Sequence, residues 1–264
     1  MKKKRSRITR RSEQIEKFLQ QIYNLLAPQI CYCCLDRMPL TELLKTGDLK
    51  KDKLWEISRY LCPACIENLV ILKDDICPKC GSPLRTTGCP HCTQTSFKFI
   101  AARSVFLFDE RTRPLIHGLK YHQFLKIAPV LAAYAALYLE NHWRWQKPDI
   151  IIPVPLHRVK LRERDFNQSA IIGRWLAQLT HIDYREDIII RNRYTRTQTA
   201  LDRKQRHQNV SGAFTLRDAE YLKDKCILIL DDVFTTGSTC NAMAHLLRDN
   251  QITQVFVLTI ARPS

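Results

Sequence analysis

The sequence contains no apolar stretch that approaches the ~20 residues a membrane-spanning helix requires. Its basic amino terminus is not followed by the apolar segment and small-residue cleavage site of a secretory signal peptide. Acidic residues are scarce, since 26 Asp and Glu face 42 Lys and Arg and leave a formal charge of +16. We therefore expect a cytoplasmic protein without a membrane span, and the charge favours polyanionic partners such as nucleic acid or phosphorylated ligands.

The length and the hydrophobic content predict two folded units. With 264 residues, 45% of them hydrophobic, the chain has room for one α/β domain and a smaller module. We predict a basic tail with an amphipathic helix over residues 1–28, a metal-binding module over 29–98 and an α/β domain over 99–264. The tail is expected to be solvated, and contact with nucleic acid is the alternative.

Eight of the eleven cysteines form C-x-x-C pairs, which indicates metal binding. The pairs are Cys31 and Cys34, Cys62 and Cys65, Cys77 and Cys80, and Cys89 and Cys92. Two such pairs supply a closed tetrahedral set of four sulfurs for structural zinc. Disulfides are the competing explanation, but they do not persist in a reducing compartment. Consecutive pairs need the shortest loop closures, so we expect them to share a site, with an interleaved arrangement as the alternative.

The remaining three cysteines are expected to lie outside the zinc sites. We interpret Cys33 as a spare thiol beside a ligand, with replacement of that ligand as the alternative, and Cys226 and Cys240 as small buried side chains. His91 lies between two ligands and is expected to be exposed rather than to bind metal.

From residue 100 onward the apolar pattern alternates between strands and helices, which is typical of parallel βαβ units. The predicted strands are 102–108, 149–155, 188–190, 227–230 and 254–261, and the predicted helices are 125–143, 168–180 and 238–248.

The most distinctive segment begins with the apolar strand 227–230 and continues with the carboxylates of Asp231 and Asp232. The next turn is rich in hydroxyl groups and contains Thr235, Thr236, Gly237, Ser238 and Thr239. This turn joins the carboxyl end of a strand to a helix start, where free backbone N–H groups suit a dianionic phosphate. Gly237 would permit close approach of the backbone. A plain strand end and helix cap is the alternative, but it leaves the doubled acid unexplained.

Two carboxylates next to a phosphate site favour a sugar phosphate as the ligand. They can accept hydrogen bonds from vicinal ribose hydroxyls or hold water-bound Mg²⁺. Arginines in a loop after the strand 149–155 are suited to pyrophosphate, although a solvated basic loop is the alternative. These candidates are Arg158, Arg162 and Arg164. The polar, basic segment 193–209, which contains Arg206, is predicted to act as a mobile lid over a pyrophosphate.

The segment 227–239 resembles the 5-phosphoribosyl 1-pyrophosphate (PRPP) signature of type I phosphoribosyltransferases. The resemblance implies an open parallel sheet with helices on both faces and a ligand beyond the carboxyl ends of the strands. It further implies that Asp231 and Asp232 contact the ribose hydroxyls as active-site carboxylates and that residues 235–239 surround the 5-phosphate.

Further motifs narrow the resemblance to the ComF/GntX family over about residues 31–262. They are 116–121, 154–157, 164–168, Thr195-x-x-Gln198-x-x-Leu201, Arg206-x-x-Asn209 and 213–214, joined to the cysteine pairs. Asp165 stands where the family commonly has Gly, and Asp tolerates the left-handed conformation better than most residues.

The family resemblance implies a double zinc ribbon, a phosphoribosyltransferase-like domain and a part in the uptake of transforming DNA. It suggests PRPP with Mg²⁺ as the ligand and transfer of phosphoribosyl to an unknown acceptor with release of pyrophosphate. The alternatives are a protein that handles single-stranded DNA together with DNA-uptake proteins, and a PRPP-sensing regulator without turnover. Base stacking could use Tyr60, Phe97, Phe99, Tyr121 and Trp143, although core packing also explains these aromatic residues.

Overall fold

The computed structural model of the chain describes residues 30–38, 57–58, 60–84, 88–121, 124–193 and 212–264. The predicted tail and amphipathic helix lie outside the described residues, as does the predicted lid from residue 194 onward. Within the described ranges no helix has both the length and the apolar character to cross a membrane. The division of the chain at residues 28 and 98 stays a prediction.

Seven strands occur in the described residues. They are β1 (Ala101–Leu107), β2 (Ile150–Pro153), β3 (Asp183–Tyr184), β4 (Ile189–Arg191), β5 (Phe214–Leu216), β6 (Ile227–Val233) and β7 (Val255–Arg262). Five of them form one sheet in the order β1-β7-β6-β2-β3, and every neighbouring pair is parallel. The predicted open parallel sheet is confirmed, with β6 at its centre.

The predicted strand at 188–190 does not join this sheet. It forms β4, which pairs antiparallel with β5 in a separate two-stranded sheet, with Ile190 opposite Thr215. The expectation that every strand takes part in parallel βαβ units is therefore wrong at this position. A run of three apolar residues carries no information about the direction of its partner, because both kinds of pairing accept it.

The helices cover both faces of the sheet. They are α1 (Pro63–Asn68), α2 (Pro90–Gln94), α3 (Thr112–Tyr121), α4 (Ile127–Asn141), α5 (Arg158–Arg164), α6 (Gln168–Thr180) and α7 (Ser238–Asp249). Alternate residues of β6 serve the two faces, since successive strand side chains point in opposite directions. Leu228 and Leu230 pack with α4 and α6, whereas Ile227 and Ile229 pack with α7. The prediction that helices cover both faces of the open parallel sheet is therefore confirmed.

One edge of the sheet is covered by the segment between the second and third cysteine pairs. Ile71 lies antiparallel to Phe106 of β1, the backbone N–H of Leu72 donates to Val105 O at 2.9 Å, and that of Leu107 donates to Val70 O at 3.0 Å. The hydroxyl of Tyr138 on α4 donates to Leu72 O at 2.8 Å. An unpaired strand edge promotes association with other chains, so this segment protects β1.

Candidate functional site

The eight paired cysteines form two clusters, and the consecutive pairing predicted from the sequence is confirmed. The first cluster contains Cys31, Cys34, Cys62 and Cys65, and the second contains Cys77, Cys80, Cys89 and Cys92. In each cluster the four sulfurs lie within 4.8 Å of one another. The Sγ–Sγ distance is 3.9 Å between Cys34 and Cys62, and two such distances in the second cluster are 3.6 and 3.4 Å. These values are close to the ~3.8 Å expected between thiolates in a tetrahedral zinc site. The donor set and its geometry therefore fit structural zinc.

The first turn of each cluster has the same backbone geometry. The N–H after the second cysteine donates to the carbonyl of the first, at 2.8 Å for Leu35 and 2.9 Å for Gly81. Both residues adopt a positive φ, 65° and 70°. The two turns differ in their surroundings, because the side chain of Leu35 is 60% exposed, whereas a Cβ on Gly81 would lie 2.6 Å from Ala102 O.

The second cluster is packed against the sheet. The guanidinium of Arg103 on β1 donates to Pro78 O at 3.1 Å, and that of Arg262 on β7 donates to Cys80 O. The backbone N–H of Ala102 donates to Lys79 O at 2.8 Å. A zinc ion in this cluster would therefore stabilise the junction between the module and the sheet as well as the turn itself.

The two carboxylates at the end of β6 have different partners. Ser169 Oγ donates to Asp231 Oδ1 at 3.0 Å, whereas Lys120 Nζ lies 2.7 Å from Asp232 Oδ2. Burial is the main cause that raises the pKa of Asp231 to about 7, and the adjacent charge of Asp232 is the second. Both causes disfavour the charged form of Asp231, and a bound cation or hydroxyl donor would stabilise that form.

The hydroxylated turn lies between this pair and α7. Gly237 precedes α7 with a φ of 72°, and the hydroxyl groups of Thr236 and Ser238 lie 2.7 Å apart. No hydrogen bond among the described residues uses the backbone N–H groups of Thr235, Gly237 or Thr239. The turn therefore presents donors at the start of a twelve-residue helix.

The structure gives Gly237 a role that the sequence did not suggest. A Cβ at this position would lie 2.3 Å from Phe234 Cζ, and the positive φ disfavours other residues. Phe234 is itself buried against Phe99 and Arg262. Gly237 is thus required by the packing inside the turn, independently of any approach of a ligand.

The predicted arginine loop is wrong in its secondary structure. Residues 158–164 form the helix α5, in which Arg158 and Arg162 are exposed and Arg164 Nη1 donates to Gln168 Oε1 at 3.2 Å. Asp165 ends this helix with a φ of 64°, so it adopts the left-handed conformation as expected. Arg206 lies outside the described residues.

Sequence reasoning missed two half-buried cations near the acidic pair. Burial lowers the pKa of Lys160, and the nearby positive charges of Arg191 and Arg164 lower it further. Burial also lowers the pKa of Arg191, while the charge of Asp231 opposes that change. Lys160 lies in α5 together with Arg158, Arg162 and Arg164. Including every basic residue of this segment as a candidate would have found it.

Lys120 and Ser169 were also missed as partners of the acidic pair. Lys120 lies within the motif 116–121, which carried part of the family resemblance, but no role for Lys120 followed from the motif itself. Ser169 lies two residues after Asn167, and Asn167 Oδ1 accepts a hydrogen bond from Ser169 N at 3.1 Å. Asn167 Nδ2 donates to Val154 O at 3.0 Å. The cap of α6 thus positions Ser169 against Asp231.

Several residues proposed for base stacking belong to the core. Phe97 and Phe99 are buried and stack on each other at 4.8 Å, so the suggestion that they contact bases is wrong. Trp143 packs edge-on against Phe256 at 5.5 Å, and Tyr60 stacks on Tyr32 at 5.5 Å. The side chain of Tyr121 is outside the described part of the structure. Cys226 and Cys240 are buried, as predicted.

Curated proteins provide an independent comparison. The DNA utilization protein YhgH of Shigella flexneri is 31% identical over 243 residues, which cover 90% of this chain and 99% of that protein. This chain belongs to the ComF/GntX family. Competence protein F of Haemophilus influenzae is 28% identical over 222 residues, which cover 77% of this ComF/GntX protein and 97% of the relative.

Other comparisons were less extensive. No family model matches the chain. Among solved structures, the glutamine PRPP amidotransferase of B. subtilis is 20% identical with a TM-score of 0.35, over 50% of this chain and 26% of that one. A hypoxanthine phosphoribosyltransferase of Staphylococcus aureus is 15% identical with a TM-score of 0.33, over 51% and 62% of the two chains.

Proposed function

We propose that this protein binds PRPP, with Mg²⁺, at the carboxyl end of β6. The observation that carries the proposal is the meeting of a paired carboxylate, a turn with unused N–H donors and half-buried cations at one end of the sheet. Ligands of open parallel sheets bind beyond the carboxyl ends of the strands, which is where these groups lie. Each group also matches one part of PRPP.

The 5-phosphate is assigned to the turn 235–239. The backbone N–H groups of Thr235, Gly237 and Thr239 would donate to its oxygens, and the hydroxyls of Thr236 and Ser238 are close enough to each other to share one oxygen. Asp231 and Asp232 would accept hydrogen bonds from the ribose hydroxyls or hold the Mg²⁺ that accompanies PRPP. Lys120 would keep Asp232 in place through the contact at 2.7 Å.

The pyrophosphate end is assigned to the cations missed by the sequence. Lys160 and Arg191 are half-buried. Arg191 interacts with the charge of Asp231, and Lys160 is near enough to Arg191 and Arg164 that their positive charges lower its pKa. Repulsion among these positive charges destabilises the ligand-free protein, and a bound polyanion would reduce that repulsion. Arg158 and Arg162 would contribute at longer range because they are exposed. Arg206 stays a candidate for the same end of the ligand.

The proposed chemistry is transfer of phosphoribosyl to an acceptor that remains to be identified. The bond from the anomeric carbon to the pyrophosphate oxygen would break, and a bond from that carbon to the nucleophile would form while pyrophosphate leaves. The contribution of the protein is positioning and stabilisation of the developing charge by Lys160, Arg164 and Arg191. We assign the two cysteine clusters to structural zinc, because four sulfurs leave no open coordination position.

The biological role that we propose is handling of incoming DNA in the cytoplasm. The support is membership of a family whose relatives carry the names DNA utilization protein and competence protein, together with the charge of +16. A PRPP-sensing regulator without turnover uses the same ligand site, and the two differ in whether pyrophosphate is released.

Thermal unfolding with PRPP and Mg²⁺ tests the ligand assignment. We expect PRPP to raise the unfolding temperature of the natural protein and to leave that of the double variant Asp231→Asn/Asp232→Asn unchanged, with zinc content intact. Asp183→Asn/Asp187→Asn, which alters two exposed carboxylates outside the site, is the matched control and should retain the shift. An equal PRPP shift in the site variant and the control would exclude the role of the two carboxylates.

A further inference from the structure

A polar cavity lies near the carboxyl end of α7, where the segment after the second cysteine cluster meets the helix. Its volume is about 350 Å³ and it is open to solvent. It is lined by Ser96, Phe97, Lys98, His245, Arg248 and Asp249. We call it the seam pocket. None of its residues belongs to the site proposed for PRPP.

The walls of the seam pocket are fixed by hydrogen bonds between the two elements. The backbone N–H of Lys98 donates to Asn241 Oδ1 at 2.7 Å, and Asn241 Nδ2 donates to Ser96 O at 3.4 Å. Arg248 Nη1 donates to Lys98 O at 3.3 Å. The buried ring of Phe97 is part of the lining. These bonds link the backbone of residues 96–98 to α7, so the cavity has a defined shape.

The seam pocket carries an excess of positive charge. Lys98 and Arg248 line it, and Lys79 is near enough that the charge of Arg248, after burial, lowers the pKa of Lys79. Asp249 is the one carboxylate among the described lining residues, and it lies 2.7 Å from His245 Nδ1. The negative end of α7 accounts for the cation Arg248 on the helix itself. The same effect does not explain the positive charges of Lys79 and Lys98, because these residues are not part of α7.

The position of the seam pocket separates it from the PRPP site. The turn 235–239 precedes α7, whereas His245, Arg248 and Asp249 occupy its last turns. A helix of twelve residues spans roughly 18 Å, so one PRPP molecule at the turn would leave the seam pocket free. A ligand of the seam pocket would therefore be a separate molecule or group from PRPP, and the positive charge of the lining favours a negatively charged one.

We propose that the seam pocket binds a backbone phosphate of single-stranded nucleic acid. Lysine and arginine around a concave surface recognise phosphate oxygens, which free phosphate and nucleic acid share. Nucleic acid is the source we favour, because the formal charge of +16 exceeds what a small anion needs and the relatives are DNA utilization and competence proteins. This inference goes beyond PRPP binding and does not require it.

Fluorescence anisotropy with labelled oligothymidylate at several salt concentrations tests the proposal on the full chain. We expect Lys98→Ala/Arg248→Ala to weaken binding about tenfold or more, and to reduce the slope of log affinity against log salt by about 0.7, which is the contribution of one phosphate contact on a single strand. Lys126→Ala/Arg217→Ala, which removes two exposed cations elsewhere, should change both quantities less.

Two further readouts separate the possible outcomes. An unchanged unfolding temperature without any ligand shows that Lys98→Ala/Arg248→Ala is folded. The PRPP-induced thermal shift should persist in this variant, so the two proposals fail or succeed separately. Equal oligothymidylate affinity and salt slope in the variant and the control would overturn the proposal. Stabilisation of the natural protein by inorganic phosphate that the variant loses, without any change in oligothymidylate binding, would also overturn it and would assign the pocket to a free phosphate.

Discussion

The cysteine clusters and the carboxyl end of β6 differ in whether the protein itself supplies every group that the site needs. Each cluster supplies four sulfurs at zinc-site separations, so the protein provides every ligand. At the end of β6 the protein instead places Asp231 beside Asp232 and half-buried Lys160 near Arg191, and burial shifts the pKa of Asp231 and of Lys160 away from the charged form. The first arrangement is typical of a structural centre, and the second is typical of a site that a ligand completes.

The largest effect should come from breaking a cluster that contacts the sheet. We expect Cys80→Ser to remove one of two zinc ions and to lower the free energy of unfolding by several kcal/mol, because structural zinc contributes directly to folding. The carbonyl of Cys80 also accepts from Arg262, so loss of the turn disturbs β7. Metal analysis and urea unfolding of the purified variant measure both effects.

The adjacent cysteines of the first cluster provide the control for this prediction. Cys34→Ser should also lose one zinc, whereas Cys33→Ser should keep two, because the thiol of Cys33 donates to Arg111 O and a hydroxyl can replace it. Retention of both zinc ions by Cys34→Ser, with loss in Cys33→Ser, would show that the fourth ligand is misassigned.

An intermediate effect should appear in the pH dependence of the ligand-free protein. The folded pKa of Asp231 is raised from 3.8 to about 7, so its stabilising contribution is complete below pH 4 and is lost as the pH rises through 7. Asp231→Asn removes the titrating carboxyl group, so the variant does not lose this stability as the pH rises. The free energy of unfolding of the variant relative to the natural protein should therefore increase between pH 5 and pH 8, as measured by urea unfolding.

Asp183→Asn is the control for the pH experiment, because Asp183 is an exposed carboxylate on β3. Its difference from the natural protein should stay constant between pH 5 and pH 8. The same constancy in Asp231→Asn would mean that burial does not perturb Asp231, and the contrast with the cysteine clusters would be lost.

The smallest effect concerns the two cysteine turns. Leu35→Gly should stabilise the protein by about 1 kcal/mol, because Leu35 is exposed and has a φ of 65°. Gly81→Ala should destabilise it, since the new Cβ would lie 2.6 Å from Ala102 O. Chemical denaturation compares the two variants. Destabilisation by Leu35→Gly would show that contacts of the leucine side chain outweigh the backbone strain.

Elements with strong local patterns were predictable from the sequence. The helix 168–180 was predicted at its observed limits. The long apolar runs predicted the start of β6 and both ends of β7 to within one residue, whereas β6 continues three residues beyond the predicted end, through both carboxylates to Val233. The pairing of the cysteines followed from loop closure. These features depend on residues near one another in the chain, where periodicity and spacing carry the information.

Features that depend on distant residues could not be predicted. The contact between Lys120 and Asp232 joins α3 to β6, and the hydrogen bond from Ser169 to Asp231 joins α6 to β6. The antiparallel pairing of β4 with β5 likewise connects residues on either side of the segment 194–211. The sequence suggested the ligand groups, but only the assembled sheet shows which cations lie beside them.

The most direct measurement is a crystal structure of the protein grown with PRPP and Mg²⁺. We expect the 5-phosphate within hydrogen-bond distance of the backbone N–H groups of residues 235–239, the ribose hydroxyls or Mg²⁺ on Asp231 and Asp232, and the pyrophosphate toward Lys160 and Arg191. PRPP bound elsewhere, or an empty turn beside Gly237 at saturating PRPP, would contradict this expectation.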